Sequence, residues 1–169
     1  ADGYWYLAEG QSNIAFFPVF PLLMRAAGVV TGDIIAAGVL ITHAALLGSL
    51  ITAYALMRYE VPDDPDAAER LVLYLAFAPT AFFFSTVYTE SLFLLLSLIA
   101  VYAARRGWWT IGIAAAIVLS ATRVVGVLIV LFMALEWARS HGFTLRTMFT
   151  RRGWRGLING IVRQPAVLL

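Results

Sequence analysis

Ile34-Ile35-Ala36-Ala37-Gly38-Val39-Leu40-Ile41-Thr42-His43-Ala44-Ala45-Leu46-Leu47-Gly48-Ser49-Leu50-Ile51-Thr52-Ala53-Tyr54-Ala55-Leu56-Met57 runs without a single Asp, Glu, Lys or Arg. At the α-helical rise of about 1.5 Å per residue it spans roughly 36 Å, enough to cross a hydrocarbon core about 30 Å thick. The stretch therefore reads as a membrane-spanning helix. Gly38, Gly48 and Ser49 are its close-packing positions, where a neighbouring helix approaches. His43, beside Thr42, is expected to be satisfied by a hydrogen bond to another helix rather than to relay protons.

The composition agrees with that reading. Hydrophobic residues make up 62% of the 169 and charged ones only 13%, with a mean hydropathy of +0.84. A soluble core in so short a chain cannot bury this much apolar surface, so the expected class is all-α, a polytopic integral membrane protein with lipid as part of its solvent. The chain has no cysteine, which excludes disulfides and thiolate metal sites. His43 and His141 lie in different segments, which argues against a histidine metal site.

Outward from this helix, residues 1–33 are expected to form a non-cytoplasmic loop with interfacial helices. Tyr4, Trp5 and Tyr6 suit a membrane interface, and Pro18 and Pro21 disfavour one continuous span, leaving a short helix that ends near Gly32. The loop 58–70 is acidic and proline-broken, with Asp66 as the N-cap of the next helix. Residues 34–138 make the transmembrane region, about five membrane segments. After the first, apolar pieces at about 71–88, 91–104, 108–121 and 124–138 are each shorter than the roughly 20 residues an upright span prefers. Short spans favour a protein-lined polar vestibule. Residues 139–163 are a basic, Trp-punctuated cytoplasmic segment suited to anionic lipid rather than nucleic acid. Residues 164–169 begin a further membrane segment. With no initiating Met and an apolar end, the chain is expected to be part of a longer membrane protein.

Every basic residue is Arg. With Arg105-Arg106 and 139–163 in the cytoplasm, as the positive-inside rule prefers, alternation sends three polar features to the opposite face. These are the N-terminal segment, the Tyr88-Thr89-Glu90 turn and the Thr122-Arg123 turn. An ionisable group at mid-bilayer costs roughly 2.5–3.5 kcal/mol even on the lenient insertion scale, so Glu90 and Arg123 belong at a surface, in a polar cavity or against a partner.

Each candidate has two readings. Asp2 and Glu9 are either general bases that take a proton from an attacking hydroxyl, or solvated surface acids or helix N-caps. Glu90, beside Tyr88, either binds a sugar hydroxyl or orients Arg123, or it N-caps the helix starting at Ser91. Arg123 either presents its guanidinium fork to phosphate oxygens or snorkels to headgroups. The Phe16-Phe17-Pro18-Val19-Phe20-Pro21 stretch either shapes a lipid groove or is a rigid packing element. No Gly-rich phosphate loop, zinc-ligand spacing or nucleophile elbow occurs.

Four motifs occur in order: Asp2-Gly3-Tyr4-Trp5-Tyr6-Leu7-Ala8-Glu9-Gly10, Ala15-Phe16-Phe17-Pro18-Val19-Phe20-Pro21, Tyr88-Thr89-Glu90-Ser91-Leu92-Phe93 and Thr122-Arg123-Val124-Val125-Gly126-Val127-Leu128. Together, over about residues 1–138, they resemble the PIG-V family, the GPI mannosyltransferase 2 type with its bacterial relatives, within the GT-C superfamily of membrane glycosyltransferases. Ala1 stands where that family usually has Trp, and Gln11 where it has Tyr. The resemblance implies a GT-C-like helical bundle and a mannosyltransferase acting with inversion on the non-cytoplasmic side. Its donor would be a polyprenyl- or dolichyl-phosphate sugar, with no cofactor and no metal. Asp2 would be the catalytic base, while Glu9, Tyr88, Glu90 and Arg123 would bind substrate. The expected partners are this lipid-linked donor and membrane lipids, with a partner subunit as a further possibility. The alternative is a transporter or flippase-like protein with Glu90 and Arg123 in a substrate path.

Overall fold

The structure, a computed structural model, describes residues 17–79 and 81–141. All regular structure among them is helical: α1 (Val19–Thr31), α2 (Ile34–Glu60), α3 (Pro65–Phe77), α4 (Phe82–Ser85), α5 (Glu90–Arg106), α6 (Trp109–Ser120) and α7 (Leu128–Ser140), with a 3₁₀ turn at Val124–Val127 leading into α7. The all-α expectation holds for these residues.

Local chemistry sets the boundaries. Pro18 and Pro21 fall at the start of α1, where the missing N–H groups have no partner to lose. Gly32 ends α1 at φ +75°, with its N–H bonded to Gly28 O at 2.9 Å. Asp33 then caps α2, its Oδ1 accepting from Ile35 N–H at 2.8 Å. The cap of α3 is Asp64 rather than the expected Asp66. Pro65 takes the first helical position, Asp64 Oδ1 accepts from Ala67 N–H at 3.2 Å, and its other oxygen pairs with Arg70. Asp66 lies inside the first turn instead. The apolar piece 71–88 is likewise not one segment: Ala78, before Pro79, is extended at ψ 146° and ends α3.

Helix α5 is the centre of the bundle, packed against α2 on one side and against α6 and α7 on the other, while α1 and α3 pack on α2. The packed faces are built from small residues. Ala37, Gly38, Thr42, Ala45, Ser49 and Ala53 are the buried positions of α2. A Cβ on Gly38 would meet Val87 at 2.6 Å and Met24 at 2.8 Å, and one on Gly48 would meet Leu95 at 3.0 Å. Ser49 Oγ donates to Ala45 O at 2.7 Å and lies 3.4 Å from Ser91 O on α5. On α6, Gly112, Ala115 and Ala116 face inward, and Ala115 packs with Ala100, Ala104 and Met133.

Large apolar side chains point the other way. Val30 is 88% exposed and Phe77 81%, and Leu40, Leu47 and Ile51 line the outer face of α2. His43 is on that exposed side too, with Nδ1 2.8 Å from Val39 O in its own helix rather than bonded to a neighbour. Of the described helices, α2 alone is long and apolar enough to cross a membrane. Helices α1 and α6 are apolar but shorter.

Candidate functional site

Glu90 and Arg123, 33 residues apart in sequence, form an ion pair: Arg123 Nη1 donates to Glu90 Oε1 at 2.8 Å. Two turns make this possible. On the Glu90 side, Ser91 is fully buried and its Oγ donates to Phe84 O, fastening the 82–89 turn to the head of α5. Phe93 N–H bonds Thr89 O at 2.8 Å, so Glu90 is the first residue of α5. Thr89 occupies the N-cap position without a side-chain cap. Glu90 is therefore not the N-cap, but its charge still lies in the first turn, where it complements the helix dipole.

On the Arg123 side, α6 stops at Ser120 and Thr122 turns inward, its Oγ1 donating to Val118 O at 2.8 Å. Arg123 is extended (φ −155°, ψ 148°), which throws its side chain off the α6 axis towards α5. Gly126 closes the turn, its N–H bonding Arg123 O at 2.9 Å. A Cβ on Gly126 would sit 2.7 Å from Leu119 C and 3.1 Å from Ser120 Cα, so only glycine lets the 3₁₀ turn press this close to the end of α6.

Neither partner is fully enclosed. The Arg123 side chain is 42% exposed and that of Glu90 29%, which limits the pair to about 1 kcal/mol or less of stability. Glu90 Oε2, however, is buried and has no hydrogen-bond donor among the described residues. An unmade bond there costs about 1–3 kcal/mol, a demand that a ligand hydroxyl or ammonium can meet. The guanidinium carbon of Arg123 lies 5.7 Å from the Phe93 ring centroid, a cation–π contact that steadies the fork. Phe93 also lines an apolar cavity of about 300 Å³ between α5, the 3₁₀ turn and α7, together with Ser97, Leu119, Gly126, Ile129 and Phe132. Phe93 thus links the Arg123 cation to an apolar cavity, a pairing that suits an amphiphile with an anionic head.

Tyr88 is 59% exposed at the edge of the same turn, and its hydroxyl makes no hydrogen bond among the described residues. Asp2 and Glu9 lie outside the described residues, as do Phe16 and residues 142–169. Among the described residues no group of three His, Asp or Glu gathers as metal ligands.

At the opposite end of the bundle is a cluster that sequence reading missed. Arg105 Nε lies 3.1 Å from Glu60 Oε1, and its Nη1 lies 3.3 Å from Glu136 Oε1. The Nε contact is close but misaligned, so Arg105 Nε lacks a true hydrogen bond. Arg139 approaches Glu136 at 3.9 Å, and Tyr59 OH donates to Arg105 O at 3.1 Å. These groups, with Ser140, surround a polar cavity of about 380 Å³. The missed signal was helix length: α2 runs on through Glu60, which the acidic loop 58–70 had claimed. Set against protein-family models, curated proteins and solved structures, the chain matches none.

Proposed function

We propose that this chain belongs to a multi-pass membrane glycosyltransferase of the PIG-V, GT-C type. It would transfer a sugar, in this reading mannose, from a polyprenyl- or dolichyl-phosphate carrier to an acceptor hydroxyl on the non-cytoplasmic face. The observation that carries the reading is the ion pair between Glu90 and Arg123, in which the two downstream motifs of the resemblance meet at 2.8 Å. Outward-facing large apolar side chains over a core of small ones support the multi-pass setting. Glu90 and Arg123 at one end, with the Arg105 cluster at the other, support the two-sided arrangement.

In the reaction the acceptor oxygen attacks the anomeric carbon from the face opposite the carrier, inverting its configuration. The bond from that carbon to the phosphate oxygen breaks, and its electron pair leaves with the lipid phosphate. Arg123 stabilises the charge that develops on the leaving phosphate. Asp2 takes the hydroxyl proton. Glu90 Oε2 accepts from a sugar hydroxyl, while Glu9 and Tyr88 line the entrance. The apolar cavity lined by Phe93 receives the first part of the lipid chain.

Membranes containing the protein, given radiolabelled polyprenyl-phosphate mannose and a lipid acceptor extract, test this directly. Expected is transfer by the wild type, and none by Asp2→Asn even though donor still binds. Full turnover by Asp2→Asn removes Asp2 from the mechanism. A wild type that consumes no polyprenyl-phosphate sugar overturns the reading itself.

A further inference from the structure

The proposed reaction makes no use of the bundle end that carries Arg105. There Glu60 and Glu136 balance Arg105 and Arg139, two carboxylates against two guanidiniums. Arg106, the next residue, has no carboxylate partner among the described residues. Its guanidinium carbon lies instead 5.4 Å from the Tyr59 ring centroid, 5.8 Å from that of Tyr102 and 5.0 Å from that of Trp108.

The three rings brace one another edge-on, Tyr59 with Tyr102 at 6.4 Å and Tyr102 with Trp108 at 5.9 Å. They come from the end of α2, the end of α5 and the turn between α5 and α6. That turn needs Gly107 at φ +74°, which lets Trp108 N–H return to Ala103 O at 2.8 Å. A planar cation packed on aromatic faces is fixed in orientation and keeps its N–H edge free. Arg58, one residue before Tyr59, also lacks a carboxylate partner among the described residues.

The surface changes character here. Trp108 is 46% exposed, and along the following helix α6 exposes Ile111 and Ile117 at 52% and 65%. Half-exposed Trp and Tyr, a free arginine edge and then apolar surface are what a bilayer meets at its phosphate plane. We propose that Arg106, held by Tyr59, Tyr102 and Trp108, is a binding site for the phosphate of an anionic phospholipid in the leaflet at this end. The inference rests on the membrane setting and not on glycosyl transfer.

The test is native mass spectrometry of the detergent-solubilised full-length protein titrated with phosphatidylglycerol or phosphatidylcholine. Expected is preferential retention of phosphatidylglycerol, weakened about fivefold in Arg106→Gln, the effect of one basic residue at a lipid surface. Arg106→Lys keeps the charge but not the stack and should fall between. Trp108→Ala should weaken retention in the same direction, whereas the charge-matched control Arg25→Gln should not. Wild-type retention by Arg106→Gln overturns the proposal. So does displacement of the lipid by millimolar inorganic phosphate, which would mark a simple anion site. Loss of thermal stability in Arg106→Gln with lipid retention unchanged also overturns it, since Arg106 would then serve the fold. Because transfer activity is not the readout, failure here leaves the catalytic reading standing, and the reverse.

Discussion

Arg123 owes its reach to one extended residue between two helical turns, and its chemistry to a single carboxylate partner among the described residues. Replacing it by Gln removes the charge that faces a departing phosphate. Transfer by Arg123→Gln should fall about 100-fold in kcat, as when one preorganised donor to a developing anion is lost. Arg123→Lys should recover only part of this, because an ammonium cannot present a fork. The radiolabelled-sugar assay measures both. Glu90→Gln keeps the shape and a carbonyl acceptor but frees Arg123, so its effect should appear mainly in KM for the donor. The two charges were conspicuous in sequence because apolar residues surround them. Their pairing was one reading among several, with Glu90 orienting Arg123, and a 33-residue separation could not choose it until α5 and α6 were packed. The orphaned Glu90 Oε2 was invisible in sequence, because burial of one oxygen depends on every neighbour around it.

At the scale of elements, glycines separate close approach from mere exposure. Gly126 faces backbone atoms of Leu119 and Ser120 that cannot yield. Gly126→Ala should therefore lower stability by about 1–3 kcal/mol, the usual cost of overpacking, and displace Arg123 with the turn. Gly48 faces only the flexible end of Leu95 at 3.0 Å, so Gly48→Ala should lie within about 1 kcal/mol of wild type. Thermal unfolding in detergent, followed by circular dichroism, distinguishes the two; equal losses would sink the distinction. The long helix α2, the stop at Gly32 and the turn around Arg105-Arg106-Gly107 were readable from apolar run length and from glycine. The break at Pro79 was missed because apolar residues continue on both sides of it, and the cap at Asp64 was misread because Asp63, Asp64 and Asp66 compete for that position. Which one wins is a matter of fractions of a kcal/mol in local hydrogen bonding.

For the whole molecule, two charged clusters at opposite ends of one helical bundle predict opposite accessibility in a membrane. These 169 residues contain no cysteine, so within them a single introduced thiol reports on its own position when intact cells are labelled. Tyr88→Cys should react with a membrane-impermeant maleimide in intact cells, whereas Asp63→Cys and Ser140→Cys should react only after lysis. Labelling of all three from one side would refute the two-sided arrangement. Arg105 clasps the ends of α2, α5 and α7, and Arg105→Ala should destabilise the bundle by about 1–3 kcal/mol, less than a fully buried pair because its side chain is a quarter exposed. Composition and apolar run length alone determined that this chain is helical and suited to lipid, because helix formation and hydrophobicity are summed along the chain. They also marked Glu90 and Arg123 as costly. Only the tertiary structure decided that these two meet, that Arg105 gathers two glutamates, and that Arg106 is boxed by three rings. Such meetings depend on which faces of distant helices touch, and that is settled by packing small residues against one another rather than by any local stretch.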